Sequence, residues 1–318
     1  MRDSPASRSA GRRSVCCDRG VSDAIPAPDP VLLRKVAEQL AAEAAAFVRS
    51  RRLEVFGHSA AGTVSAGGDP AVRVKSTPTD PVTVVDTETE RLLRERLAVL
   101  RPADAILGEE EGGPVGVEPG RLTWVLDPID GTVNFLYGIP AYAVSVGVLC
   151  DGVPIAGAVA DVAAVALYSA ALGHGAHVRH GDATTELRCS QAAELSMALV
   201  GTGFAYERDR RRRQGESLAK LIHDVRDLRR IGSCALDLCM VAAGRLDAYY
   251  EDGVHLWDWA AGALIATEAG ARVRPPATAD GAGLMVAAAP GISAALDDAL
   301  VRCGVSGESQ AGTSVDPR

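Results

Sequence analysis

The sequence predicts an α+β first half running into an α/β second half, and three patterns carry that expectation. An amphipathic helical stretch opens the folded part of the chain. Two long apolar runs at 141–150 and 153–163 flank Asp151-Gly152, a two-residue hairpin signal. Beyond about residue 190, short strands and helices alternate, which suits helices covering a sheet.

Taken in order, residues 1–27 read as a disordered tail. They carry Arg12-Arg13, but no apolar segment follows as a secretion signal requires. Asp29-Pro30 is an N-cap followed by proline at the first helical position. Leu33, Val36, Ala37, Leu40, Ala44, Phe47 and Val48 then recur at helical spacing. Residues 57–72 read as a loop, and a second helix is expected to start near Asp86 with Leu92, Leu93, Leu97 and Leu100 inward. Short strands follow at Ala105 to Leu107 and Leu122 to Leu126, so the first half reads as two helices on an antiparallel sheet. The second half reads as strand 198–200, helix 215–225, strand 228–231, helix 234–243, strand 246–250 and helix 257–269. The expected division is 28–190 for the N-terminal half, 191–305 for the C-terminal half and 306–318 for a second disordered tail.

Bulk properties narrow the function. At 47% hydrophobic and 23% charged, the composition is that of an ordinary globular enzyme. A net charge of −8 argues against general nucleic-acid binding. Seven cysteines, an odd count without a C-x-x-C pair, argue against a zinc site or a disulfide framework and for a reducing cytoplasm. No apolar run reaches the ~18–20 residues that span a bilayer, so no membrane association is expected.

The informative feature is the placement of carboxylates. Glu109 and Glu110 directly follow a strand, Asp127 ends another, Asp130 comes three residues later, and Asp258 opens a helix. Such positions point side chains into clefts. Gathering several carboxylates in one cleft is costly unless a cation compensates. Oxygen-only donors suit a hard ion such as Mg²⁺. Two such ions can activate water and neutralise the leaving oxygen in phosphoryl transfer, with Asp127 the natural bridging ligand. Gly131-Thr132 reads as a helix start whose amides can bind phosphate oxygens.

Asp127-Pro-Ile-Asp-Gly-Thr132 with Asn134-Phe135, Gly108-Glu-Glu110, Trp257-Asp258 with Ala261-Gly262, and Lys75 to Asp86 closely resemble the inositol monophosphatase signatures. The resemblance covers roughly residues 30–303 and is nearest in wording to the bacterial, actinobacterial branch. It implies a layered αβαβα sandwich, a homodimer, lithium sensitivity and Mg²⁺-dependent hydrolysis of inositol 1-phosphate by metal-activated water. Carried over by resemblance, Glu109, Asp127 and the Ile129 carbonyl would hold one metal, and Asp127, Asp130 and Asp258 a second. A weaker third would sit near Glu109 and Glu110. Thr132 with Asp86 would orient the water, and the Gly131 and Thr132 amides would hold phosphate. Glu251 would bind inositol hydroxyls beside a wall of Gly232, Ser233 and Cys234. Val133 and Leu256 depart from residues seen in some members, and Cys234 leaves the pocket size open.

Plainer roles stand beside these. Asp258 and Asp86 also suit helix capping, and Glu110 suits a supporting role as well as ligation. Lys75 is either a surface lysine or a positive group beside the acidic site. His255 reads as structural. Arg208 and Arg210 to Arg213 read as a solvated basic loop, with attraction of phosphorylated substrate, RNA or protein as the alternative. Histidinol phosphate, 3′-phosphoadenosine 5′-phosphate and fructose 1,6-bisphosphate are alternative substrates. A binding role in ribosomal-RNA transcription complexes is the alternative of another class.

Overall fold

The computed structural model describes residues 28–57, 71–75, 80–114, 120–278 and 280–305. Both expected tails, Cys16 and Cys17, and most of the loop expected at 57–72 lie outside them.

Helix α1 (Pro30–Phe56) starts where capping chemistry places it, with Asp29 Oδ1 accepting from the amides of Val31 and Leu32 at 2.9 and 3.3 Å. Strands β1 (Val72–Val74) and β2 (Pro81–Thr83) pair antiparallel and lead into helix α2 (Val84–Leu100). Thr83, not Asp86, is the N-cap of α2. Asp86 is its third residue and completes a capping box by accepting from the Thr83 amide at 2.9 Å.

A seven-stranded sheet follows, in the order β3 (Ala105–Gly108), β4 (Leu122–Asp130), β5 (Ala143–Cys150), β6 (Val153–Asp161), β7 (Ala166–Ala171), β8 (Ala176–His180), β9 (Ala183–Glu186). It is antiparallel except for the β3–β4 pair, which is parallel, so the purely antiparallel expectation needs that amendment. Asp151 and Gly152 join β5 to β6 with both residues at positive φ, 51° and 78°, as a type I′ hairpin requires. The six-residue helix α3 (Thr132–Tyr137) follows β4 after Gly131.

The second sheet has five strands in the order β11 (Asp227–Arg229), β10 (Leu199–Thr202), β12 (Ala248–Val254), β14 (Gly283–Ala288), β13 (Arg272–Arg274). Strand β10 runs parallel to β11 and β12, and β14 runs antiparallel to its neighbours. Helices α4 (Arg208–Leu221), α5 (Cys234–Ala242), α6 (Leu256–Glu268) and α7 (Ser293–Cys303) complete the chain.

Three apolar cores hold the layers together. One joins α1 and α2 to the seven-stranded sheet through Leu40, Leu93, Trp124, Leu126 and Val146. The second joins the other face of that sheet to α5, α6 and the smaller sheet through Val159, Leu238, Ile265, Tyr249 and Met285. The third packs α4 and α7 on the outer face of the smaller sheet through Leu221, Leu296 and Leu300. The order is therefore αβαβα, as expected.

Helix α6 lies unusually close to the larger sheet because small residues meet there. A Cβ on Gly157 would stand 3.0 Å from Ala261 Cα, and one on Gly147 would stand 3.0 Å from Ala260 Cβ. That closeness brings the first turn of α6, with Asp258, down to the end of β4.

The Arg208 to Arg213 segment is the first half of α4 rather than a loop. Glu207 caps it, accepting from Asp209 and Arg210 at 2.9 Å each. Only Ser217 and Leu221 of this helix are buried, so no apolar stripe marks it in sequence. Among the described residues no helix is long and apolar enough to cross a membrane.

Candidate metal centre

The site forms where the C-terminal end of β4 meets the starts of α5 and α6. Pro128 has no amide to give the ladder, and the β4–β5 register shifts between Asp127 and Asp130. The strand kinks there and turns both aspartates into the cleft. Asp127 Oδ1 accepts from the Ile129 amide at 3.0 Å, tightening the turn. Gly131 follows at φ 95°, and an added Cβ would sit 3.0 Å from the Ala141 carbonyl and 3.1 Å from that of Gly232. The sharp exit leaves Thr132 at the start of α3.

Asp127, Asp130 and Asp258 each offer an oxygen, and these atoms lie within 4.8 Å of one another. Asp130 and Asp127 are buried, and Asp258 is half-buried. Asp130 Oδ2 accepts from the Ser233 hydroxyl and the Ala235 amide, both at 2.6 Å, so the start of α5 holds it. Asp258 is the third residue of α6, and its Oδ2 accepts from the His255 amide at 2.5 Å. It thus caps its helix and faces the cluster at once. His255 stacks on Trp257 with ring centroids 5.0 Å apart, in keeping with a structural role.

Glu109 stands beside this trio without joining it. Its Oε1 pairs with Lys75 Nζ at 2.7 Å, and the same ammonium meets Glu110 Oε1 at 2.6 Å. Lys75 is therefore the positive group of the acidic site rather than a surface lysine. Glu111 is exposed and pairs at 3.5 Å with Arg94.

The electrostatics show a surplus of negative charge. Burial pushes Glu109 up to about 8, with Asp258 and Glu110 adding to the rise and Lys75 opposing it. Asp127 is held well above the ordinary carboxylate range by burial and by the charges of Glu109, Asp130 and Asp258. Asp130 is pushed up to about 7 by burial and Asp258, against the hydrogen bonds from Ser233 and Ala235. Burial works against the charge of Lys75, yet Glu109 and Glu110 hold it well above its usual range. The site is short of cations, and its carboxylate and carbonyl oxygens are donors of the hard kind. Those two facts fit a divalent ion such as Mg²⁺.

Thr132 and Asp86 meet as expected. Thr132 Oγ1 lies 3.1 Å from Asp86 Oδ1 and 3.0 Å from the Ile129 carbonyl, and its one proton serves either. Asp86 is fully buried and is pushed up to about 6 by burial, despite the bonds from Thr83. On the far wall, Glu251 lies inside β12 rather than after a strand, and it is pushed up to about 7 by burial. Gly232, Ser233 and Cys234 form the turn into α5, with Ser233 its N-cap.

Two supporting residues escaped the sequence reading. Glu90, fully buried on α2, accepts from the Glu110 amide at 2.7 Å and the Glu111 amide at 3.0 Å. It fastens the segment that carries Glu109. Its signal was present: Glu90 falls in helical register with Asp86, Leu93 and Leu97, a carboxylate on an inward stripe. Asn134 was quoted only as part of a motif. Its Nδ2 donates to the carbonyls of Ala141 at 2.7 Å and Ile231 at 2.9 Å, stapling the two halves beside the site.

A five-layer sandwich with an oxygen-only carboxylate cluster at the junction of its sheets defines the metal-dependent phosphatase class. Residues 29–302 match the inositol monophosphatase family model, and the chain belongs to that family. It is 65% identical over 282 residues to the inositol-1-monophosphatase SuhB of Mycobacterium tuberculosis, covering 87% of this chain and 96% of that relative. The inositol-1-monophosphatase of Mycobacterium leprae is 63% identical over 284 residues, with the same coverages of 87% and 96%. The solved structure of Mycobacterium tuberculosis SuhB superposes with a TM-score of 0.73 at 58% identity, over 87% of this chain and 99% of that one.

Proposed function

We propose that this chain hydrolyses inositol 1-phosphate to inositol and phosphate, with Mg²⁺ as its cofactor. The observation that carries the reading is the convergence of Asp127, Asp130 and Asp258 within 4.8 Å. The substrate is supported by the mycobacterial relatives bearing that name, and by Glu251 on the wall facing the cluster.

In this reading Asp127, Asp130 and Asp258 would hold one ion, and Glu109, Asp127 and the Ile129 carbonyl another, with Glu110 at the margin. Bound Mg²⁺ would supply Lewis-acid neutralisation of the phosphoryl oxygens and make water more acidic. The remaining work belongs to the chain. When the Thr132 hydroxyl donates to Asp86 Oδ1, its oxygen lone pairs are left to accept a hydrogen bond from the attacking water and so orient it. The buried Asp86 carboxyl, held by Thr83, fixes that direction. The amides of Gly131 and Thr132 hold the phosphate, and Lys75 adds positive charge at the entrance. Glu251 accepts from hydroxyls of the polyol, and Gly232 to Cys234 set the pocket wall.

Comparing kcat/KM for inositol 1-phosphate, histidinol phosphate, 3′-phosphoadenosine 5′-phosphate and fructose 1,6-bisphosphate with Mg²⁺ tests the substrate. Inositol 1-phosphate is expected to lead by at least about tenfold, which asks for only about 1.4 kcal/mol of discrimination. The Asp127→Asn variant is expected to lose turnover while keeping its circular dichroism. Near-normal turnover in that variant rejects the site.

A further inference from the structure

Strand β12 carries Tyr249 and Glu251 two residues apart, so both side chains leave the same face of the smaller sheet, toward α5 and α6. Tyr249 is fully buried, and its hydroxyl donates to Glu251 Oε2 at 2.7 Å. The backbone of residue 203 closes the other side of that carboxyl. A Cβ on Gly203 would stand 1.8 Å from Oε2 and 2.0 Å from Cδ of Glu251, so a side chain there would drive the carboxyl out of place. The Cys234 side chain is a neighbour of the phenol. Cys234 opens α5, the helix whose Ser233 and Ala235 hold Asp130. One buried hydroxyl thus holds the wall carboxylate in the neighbourhood of the helix start that fastens the acidic cluster.

We propose that Tyr249 is a positioning residue: its hydroxyl and the bare backbone of Gly203 aim Glu251 at the substrate's hydroxyls, and so set preference for polyol phosphates. The proposal rests on the functional reading given above. A buried phenol has one proton to donate. Committing it to Oε2 leaves the other carboxylate oxygen, Oε1, to face ligand hydroxyls. Without that donor, the carboxyl can rotate about its last torsion, which is soft. The loss then falls on substrates that present hydroxyls to Glu251, and not on the phosphate chemistry at the far side of the cleft.

The test compares the wild type, Tyr249→Phe, Glu251→Gln and the double variant on inositol 1-phosphate and on phenyl phosphate, which has no polyol hydroxyls. Tyr249→Phe removes one oxygen and keeps the ring. It is expected to raise KM for inositol 1-phosphate at least fivefold, with a kcat/KM loss at least fivefold larger than on phenyl phosphate. In the double variant the two losses are expected to be far from multiplicative, because Tyr249 acts through Glu251. Equal losses on both substrates, or multiplicative losses in the double variant, overturn the positioning role. If Glu251→Gln itself shows no selective loss, the polyol reading of the site fails instead. Gly203→Ala is the second probe, expected to reproduce the selective loss while Tyr249 stays intact. A uniform loss in that variant counts against the proposal as well.

Discussion

Raising the pH of the metal-free protein should destabilise it, and the size of the effect follows from the buried carboxyls. Asp130 is pushed up to about 7 and Glu109 to about 8, from ordinary values of 3.8 and 4.5. A folded-state pKa above the unfolded one means that the native state binds more protons across the interval. The stabilising contribution is complete below about pH 4 and is lost as pH rises through 7 to 8. Between pH 6 and pH 8, that linkage gives a loss of about 1 kcal/mol for Asp130 and about 2 kcal/mol for Glu109. Urea denaturation in EDTA at pH 6, 7 and 8 measures it, with the same series repeated in saturating Mg²⁺. Stability in EDTA should fall by on the order of 3 kcal/mol across the series. In Mg²⁺ the fall should vanish or reverse, since ions replace the protons and bind the ionised carboxylates best. Asp130→Asn should shrink the fall in EDTA. A flat profile in EDTA would refute the reasoning that these carboxyls are crowded and short of cations.

Two further outcomes follow from the supporting residues. Glu90→Gln sets an amide NH₂ against the backbone amides of Glu110 and Glu111, so it should cost about 1–3 kcal/mol in thermal unfolding. It should also lower turnover at least tenfold by loosening Glu109, and unchanged turnover would contradict that. Asn134→Ala leaves the carbonyls of Ala141 and Ile231 without their donor, a cost of about 2 kcal/mol read by denaturant unfolding. A loss below a few tenths would show that the staple is dispensable.

Legibility in the sequence followed the physics of each element. The Asp127 to Thr132 turn could be read because proline, glycine and two aspartates each force a local geometry that needs no distant partner. The hairpin at Asp151-Gly152 could be read for the same reason. The Thr132–Asp86 contact could not be derived from spacing, since 46 residues separate them, and it rested on resemblance alone. The first half of helix α4 was read as a loop because its arginines offer no apolar stripe, and the Glu207 cap and the Arg210–Asp252 pair at 2.7 Å hold that half. The edge strand β9 went unread because it is exposed throughout and carries no inward alternation. Lys75 stayed ambiguous until Glu109 and Glu110 were seen on either side of its ammonium.

Anomalous diffraction from crystals grown with Mn²⁺, a stand-in for Mg²⁺ that scatters strongly, locates bound ions without reference to turnover. The account predicts a peak bridged by the carboxylates of Asp127, Asp130 and Asp258, with Glu109 turned from Lys75 toward a neighbouring ion. Saturating Mn²⁺ that leaves those three aspartates without a peak would contradict it.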